Sequence, residues 1–144
     1  MTEMAAAPCK VLIIDDDASC AEELCLLLSG AGFQAESELS AADGIRHFLS
    51  DPSIRIVVSD ISMPDCDGVR LLDQIRSSGT RGLDATVILV TGQPDLHTTI
   101  DALNLGASAM LMKPLDPVEI VSAVSKAIDI QMELIGVVQP RKIS

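Results

Sequence analysis

Five short strand-like runs alternate with segments of helical spacing, and this alternation limits the fold more than any other feature of the chain. The runs are Lys10–Ile14, Phe33–Leu39, Ile54–Ser59, Ala85–Val90 and Ala109–Met112. The third and fourth are nearly all apolar and rich in Val and Ile, as strands covered on both faces must be. Ala21, Leu24, Cys25 and Leu28 repeat at helical spacing from Ala18 to Leu28, with Asp17 placed as N-cap and Gly30-Ala31-Gly32 as the stop. Ser40 can cap a helix over Ala41–Leu49, with Ile45, Phe48 and Leu49 predicted inward. A third helix runs from about Gly68 to Ser77 and buries Val69, Leu72 and Ile75. Thr80 to Asp84 reads as a loop. Pro94 fits the first turn of a helix reaching Leu105, with Leu96, Ile100 and Leu103 toward the core and His97 outward. Asp116-Pro117 opens a last helix to about Ile135. The pattern implies an α/β fold: a doubly wound, five-stranded parallel sheet with five helices and right-handed crossovers.

At 144 residues this predicts one domain. There is no Trp or Tyr, and Phe33 and Phe48 are the only aromatic residues. This scarcity argues against single-strand nucleic-acid binding by base stacking. A net charge of −11 argues against any contact along a phosphate backbone, so no direct nucleic-acid partner is expected. No run approaches the roughly 20 apolar residues that span a bilayer, and no membrane partner is expected. Met1 to Pro8 lacks the basic start and apolar run of a signal peptide. Cys9, Cys20, Cys25 and Cys66 show no CxxC spacing and read as reduced thiols of a cytoplasmic protein. Cys66, in a loop, is expected near the surface.

Ligands of open parallel sheets bind at the carboxyl ends of the strands. There the first strand ends in Asp15 and Asp16, the third in Asp60, the fourth in Thr91 and the fifth in Lys113. Acids gathered on one rim repel unless a cation binds, and hard oxygen ligands suit Mg²⁺. Asp60, held at a strand tip before Met63-Pro64, reads as a carboxylate nucleophile that takes a phosphoryl group. Lys113 would neutralise the incoming phosphate and Thr91 would donate to one of its oxygens.

VLIIDDD, VVSDISMPDCDG, VILVTG and MLMKP, at the first, third, fourth and fifth strands, together resemble a two-component response-regulator receiver domain. The resemblance covers about Lys10 to Gln131, leaving residues 1–9 as an N-terminal tail and 132–144 as the end of the last helix with a tail or linker. It implies a flavodoxin-like strand order of 2-1-3-4-5, the order the chemotaxis receiver exemplifies. It also implies Asp60 as phosphoacceptor and Asp15, Asp16 and Asp60 as metal ligands, together with the Ser62 backbone carbonyl. Thr91 and Lys113 then resemble the switch hydroxyl and the phosphate-binding lysine. By the same resemblance the partner is a sensor histidine kinase or phosphotransfer protein, and the chain is a signalling phosphoacceptor rather than an enzyme. Phosphorylation is expected to reshape the face formed by the fourth and fifth helices and the fifth strand. Met110 stands where the family carries an aromatic residue, so a ring turning inward behind the threonine cannot operate.

Two other readings have specific features. Asp15-Asp16-Asp17 contains the D-x-D of haloacid-dehalogenase-type phosphatases, but Ser19 departs from that pattern and the chain has little room for a cap. A phosphorylation-independent module is disfavoured by the complete set of Asp15, Asp16, Asp60, Thr91 and Lys113. The last helix is apolar over more than one stripe, from Ile120 to Ile135. Either it is well buried with an apolar tail, or its far end meets a second copy or an output domain.

Overall fold

Runs of Val, Ile and Leu at the middle of the sheet carry apolar side chains to both faces, and the fold covers both. A computed structural model describes residues 9–64, 66–93 and 95–136. Its elements are β1 (Lys10–Ile14), α1 (Ala18–Gly30), β2 (Ala35–Glu38), α2 (Ala41–Ser50), β3 (Ile54–Asp60), α3 (Gly68–Arg76), α4 (Thr80–Asp84), β4 (Thr86–Thr91), α5 (Leu96–Asn104), β5 (Ala109–Met112) and α6 (Pro117–Leu134). The strands are all parallel in the order β2-β1-β3-β4-β5, as expected. Alternate residues serve opposite layers. Leu12, Ile14, Val57 and Leu89 pack with Phe48 of α2, Leu71, Leu72 and Ile75 of α3 and Ala102 of α5. Val11, Ile13, Val58 and Val90 pack with Ala21 and Leu28 of α1 and with Ile120, Val124 and Ala127 of α6.

Side-chain caps start five of the helices. Asp17, Ser40, Asp67, Asp95 and Asp116 each accept a main-chain N–H of the first turn. Each such cap contributes about 1 kcal/mol.

Several expectations are corrected. Thr80–Asp84 is a short helix rather than a loop, which makes six helices among the described residues. At five residues it is too short to show an apolar period. Arg81 holds it by donating to the main-chain carbonyls of Ile54 and Phe48, with its guanidinium 4.0 Å over the Phe48 ring. A Cβ at Gly82 would collide with the Ile75 carbonyl oxygen, so glycine lets α4 lie against α3. Next, α5 begins at Leu96 behind Asp95, while Pro94 lies outside the described residues. The residues expected inward on α5 face solvent: Leu96 is 72% exposed, Ile100 45% and Leu103 56%. The small Ala102 is the α5 residue buried in this layer, while the larger side chains face out. Finally, Leu49 of α2 is exposed, and Cys66 is half-buried against the α2–α3 layer rather than at the surface. His97 is exposed, as expected.

The last helix resolves into one buried stripe, Ile120, Val124, Ala127 and Gln131, with Ile130 and Leu134 exposed. Gln131 is fully buried and fully bonded. Its amide nitrogen donates to the Asp84 carbonyl at 2.8 Å and the Thr86 hydroxyl at 2.9 Å, and its oxygen accepts from Arg55 Nε at 2.7 Å. Gln131→Leu keeps the volume but strands these partners. It is expected to destabilise the fold by about 1–3 kcal/mol, read as a lower urea midpoint with an unchanged slope.

Candidate functional site

The parallel register brings the strand ends to one rim, and each site residue sits at or just past such an end. Asp60 closes β3, Thr91 closes β4, Asp15 follows β1 and Lys113 follows β5. The loop after Asp60 is anchored by Ile61 and Met63, both buried in the α2–α3 layer. Gly68 N–H donates to the Ile61 carbonyl at 2.7 Å, and a Cβ at Gly68 would lie only 2.7 Å from Ile61 Cα. A glycine there lets α3 close onto the loop and fix Asp60.

Asp15, Asp16 and Asp60 place carboxylate oxygens within 4.8 Å of one another. Lys113 Nζ is 2.7 Å from Asp60 Oδ2 and 3.7 Å from Asp15 Oδ2. Asp60 Oδ1 accepts the Ser62 N–H at 3.0 Å, and Asp15 Oδ1 accepts the Asp17 N–H at 2.9 Å. Lys113 N–H donates to the Thr91 carbonyl at 2.8 Å, and the Lys113–Pro114 bond is cis. One ammonium thus faces three acids.

Burial pushes the Asp15 carboxyl above its usual range, the Asp17 N–H and Lys113 oppose this, and the charges of Asp60 and Asp16 add to it. Burial draws Lys113 down, but its bond to Asp60 and the charges of Asp60 and Asp15 outweigh it, and the ammonium is held above its usual value. An all-oxygen set with uncompensated negative charge, from a buried Asp15, a half-buried Asp60 and an exposed Asp16, fits a hard divalent cation that keeps waters.

Thr91 is buried, and its hydroxyl oxygen accepts the Gln93 N–H at 3.1 Å, which leaves its own proton free to donate elsewhere. With Ser62, Arg70, Thr98 and a half-buried Met110, it lines a cavity of about 300 Å³ between α3 and α5. Asp17, by contrast, is occupied as the α1 cap, accepting the Ser19 and Cys20 N–H groups.

The family model of the response regulator receiver domain matches residues 11–125. The chain belongs to that family. This receiver domain is 35% identical to the transcriptional regulatory protein FixJ of Azorhizobium caulinodans, over 79% of this chain and 52% of that protein. It is 28% identical to the two-component response regulator PprB of Pseudomonas aeruginosa, over 88% of this chain and 46% of that protein. The chain thus spans about half the length of these curated relatives. Among solved structures it resembles a receiver domain from Clostridium thermocellum, with a TM-score of 0.81 and 30% identity, over 88% of this chain and 98% of that one. A CheY-like receiver domain from Methanospirillum hungatei gives 0.80 and 26%, over 87% and 97%.

Sequence reasoning named the rim residues but missed a second polar cluster, formed by Lys10, Glu36, Glu38, His47 and Asp51 at the β2 edge. Its signal was there: Glu36 and Glu38 alternate onto one face of a strand beside a helix bearing His47.

Proposed function

We propose that Asp60 takes a phosphoryl group from a histidine kinase or phosphotransfer protein and that the resulting charge switches the domain's output surface. The observation that carries this is the Lys113 ammonium at 2.7 Å from Asp60, with Asp15 and Asp16 beside it. Asp15, Asp16 and Asp60, with the Ser62 carbonyl, would hold Mg²⁺, which when bound offsets the charge of the incoming phosphoryl oxygens. The Ser62 N–H and Lys113 fix the Asp60 carboxylate at the strand tip. Asp60 forms the new O–P bond in line as the P–N bond to the donor histidine breaks, and the electron pair leaves with the imidazole. Lys113 then stays with the added negative charge, and Thr91 turns its free proton toward a phosphoryl oxygen.

That movement draws on β4, β5 and the start of α5, beneath a surface already rich in exposed Leu96, Ile100, Leu103 and Met112. Met110 lines the cavity with Thr91, so its flexible side chain would follow the threonine in place of a turning ring. The face of α5, β5 and α6 would meet a second copy or an output domain. A beryllofluoride-activated NtrC4 receiver domain, 26% identical with a TM-score of 0.76, is a dimer. No helix among the described residues is long and apolar enough to cross a membrane, and a cytoplasmic place in a phosphorelay follows the proposal.

The test is intact mass after incubation with acetyl phosphate, and separately with a phosphorylated histidine-kinase domain. One phosphoryl group is expected, dependent on Mg²⁺ and absent in Asp60→Asn. A gain that survives Asp60→Asn but not Asp15→Asn would transfer the nucleophile's role to Asp15, and no gain from either donor would leave a phosphorylation-independent module.

A further inference from the structure

Glu36 and Glu38 project from β2 to one side, and His47 of α2 reaches both. Its Nε2 is 2.7 Å from Glu36 Oε1 and its Nδ1 is 2.8 Å from Glu38 Oε2. A carboxylate only accepts hydrogen bonds, and a neutral imidazole has one N–H, so both contacts together require a ring carrying two protons. The clamped residue also touches the functional rim. Asp15 N–H donates to the Glu38 main-chain carbonyl at 3.2 Å, one step past the last pairing of β1 with β2, Ile14 opposite Glu38. On the same helix, a Cβ at Gly44 would lie 2.8 Å from Ile14 Cγ1, so α2 is seated directly on the residue before Asp15.

We propose that doubly protonated His47 is a positioning residue for Asp15, acting through Glu38 to hold the edge strand that sets this metal-binding acid. The inference rests on the reading of Asp15 as a ligand of Mg²⁺. The charges around the ring are Glu36 and Glu38 of β2 and Asp51 after α2, which puts a carboxylate oxygen within 4.8 Å of a ring nitrogen; Lys10 of β1 faces these acids, its Nζ 3.3 Å from Glu36 and 2.9 Å from Asp51. Asp43 and Arg46 on α2 pair with each other. Among the described residues α3, which also packs on α2, brings no charged group into ion-pair contact with the ring. Lys10 already supplies a cation to Glu36 and Asp51.

Burial draws the imidazolium down, but the bonds to Glu38 and Glu36 and their charges outweigh it, and the folded value lies above the ordinary one. A basic group raised in this way contributes fully below its unfolded value, and the contribution is lost as pH rises through the folded value. Once the ring is neutral, one carboxylate faces a lone pair and the clamp opens.

The test measures the Mg²⁺ dissociation constant from amide NMR shifts across pH 6 to 8.5, with the His47 ring nitrogens followed in the same samples. At pH 6 the wild type is expected to bind about fivefold tighter than His47→Gln, and the two should converge as the ring loses its proton. Glu38→Gln lets a neutral ring donate to Glu36 and accept from the new amide, so its affinity should not show the wild type's loss as the ring deprotonates. A ratio of wild type to His47→Gln that is constant with pH, or a ring found singly protonated at pH 6, overturns the inference alone. Absence of Mg²⁺ binding in every variant overturns the phosphoacceptor reading and this inference with it.

Discussion

Asp15→Asn is expected to raise the melting temperature of the metal-free protein while removing its Mg²⁺-dependent phosphorylation. Asp15 is only 9% exposed, and burial is the largest influence on its carboxyl. The charges of Asp60 and Asp16 lie beside it, and Lys113 at 3.7 Å is shared with a closer partner, Asp60 at 2.7 Å. The amide is isosteric and can keep the bond from Asp17 N–H to Oδ1. Replacing a poorly compensated buried charge by a bonded neutral group should return about 1 kcal/mol, a few degrees in a domain of this size. The same change removes one anionic ligand from an oxygen-only set, so phosphoryl gain with acetyl phosphate should fall to background. Stability and phosphorylation would then move in opposite directions at one residue, as they do where a site is strained for its task. Differential scanning calorimetry beside intact mass reads both effects, and an unchanged or lowered melting temperature would show that Lys113 alone neutralises the acid cluster.

The second large effect is expected at Lys113. Lys113→Ala removes the ammonium on Asp60 while sparing the Lys113 main-chain bond to the Thr91 carbonyl at 2.8 Å. The acids stay together, so Mg²⁺ should still bind, and more tightly, because its internal competitor is gone. The rate of phosphoryl gain at saturating Mg²⁺ should fall about 10²- to 10³-fold, the usual cost of losing one oriented positive group from a phosphoryl or oxyanion site. A time course of intact mass gives that rate. A change of less than about threefold would make Lys113 a counter-ion of the resting state and no more.

The parallel sheet and the rim were legible because both follow from periodicity and from where each apolar run stops, whereas the strand order came only from the family resemblance. Asp60, Asp15, Thr91 and Lys113 are single polar residues at the ends of strands, and the parallel register does the rest. Orientation was less legible. Leu96, Ile100 and Leu103 have the spacing of a core stripe, yet they face solvent and Ala102 is the residue buried in the core. Spacing reports that a helix has two faces; it does not say which of them the core takes. Arg81 and Gln131 were invisible for another reason. Their role is to satisfy main-chain carbonyls and buried polar groups that exist only once distant segments meet, Ile54 and Phe48 in one case and Asp84, Thr86 and Arg55 in the other. His47 lies between these extremes, since each of its carboxylate partners is written in an alternating strand but the pairing is not.

Gln131 also sets how motion can pass along α6. The helix begins four residues after Lys113, at the acid rim, and Gln131 bonds to Asp84, Thr86 and Arg55 beside the starts of the central strands β3 and β4, the end of the sheet away from the rim. A rigid rod fixed at one end and pulled at the other turns about the fixed end as a fulcrum. Displacement should be greatest near Val118 and smallest near Gln131. A partner that gauges the angle of this lever would gain most from gripping its rim end, together with α5, and least from whatever follows the last turn.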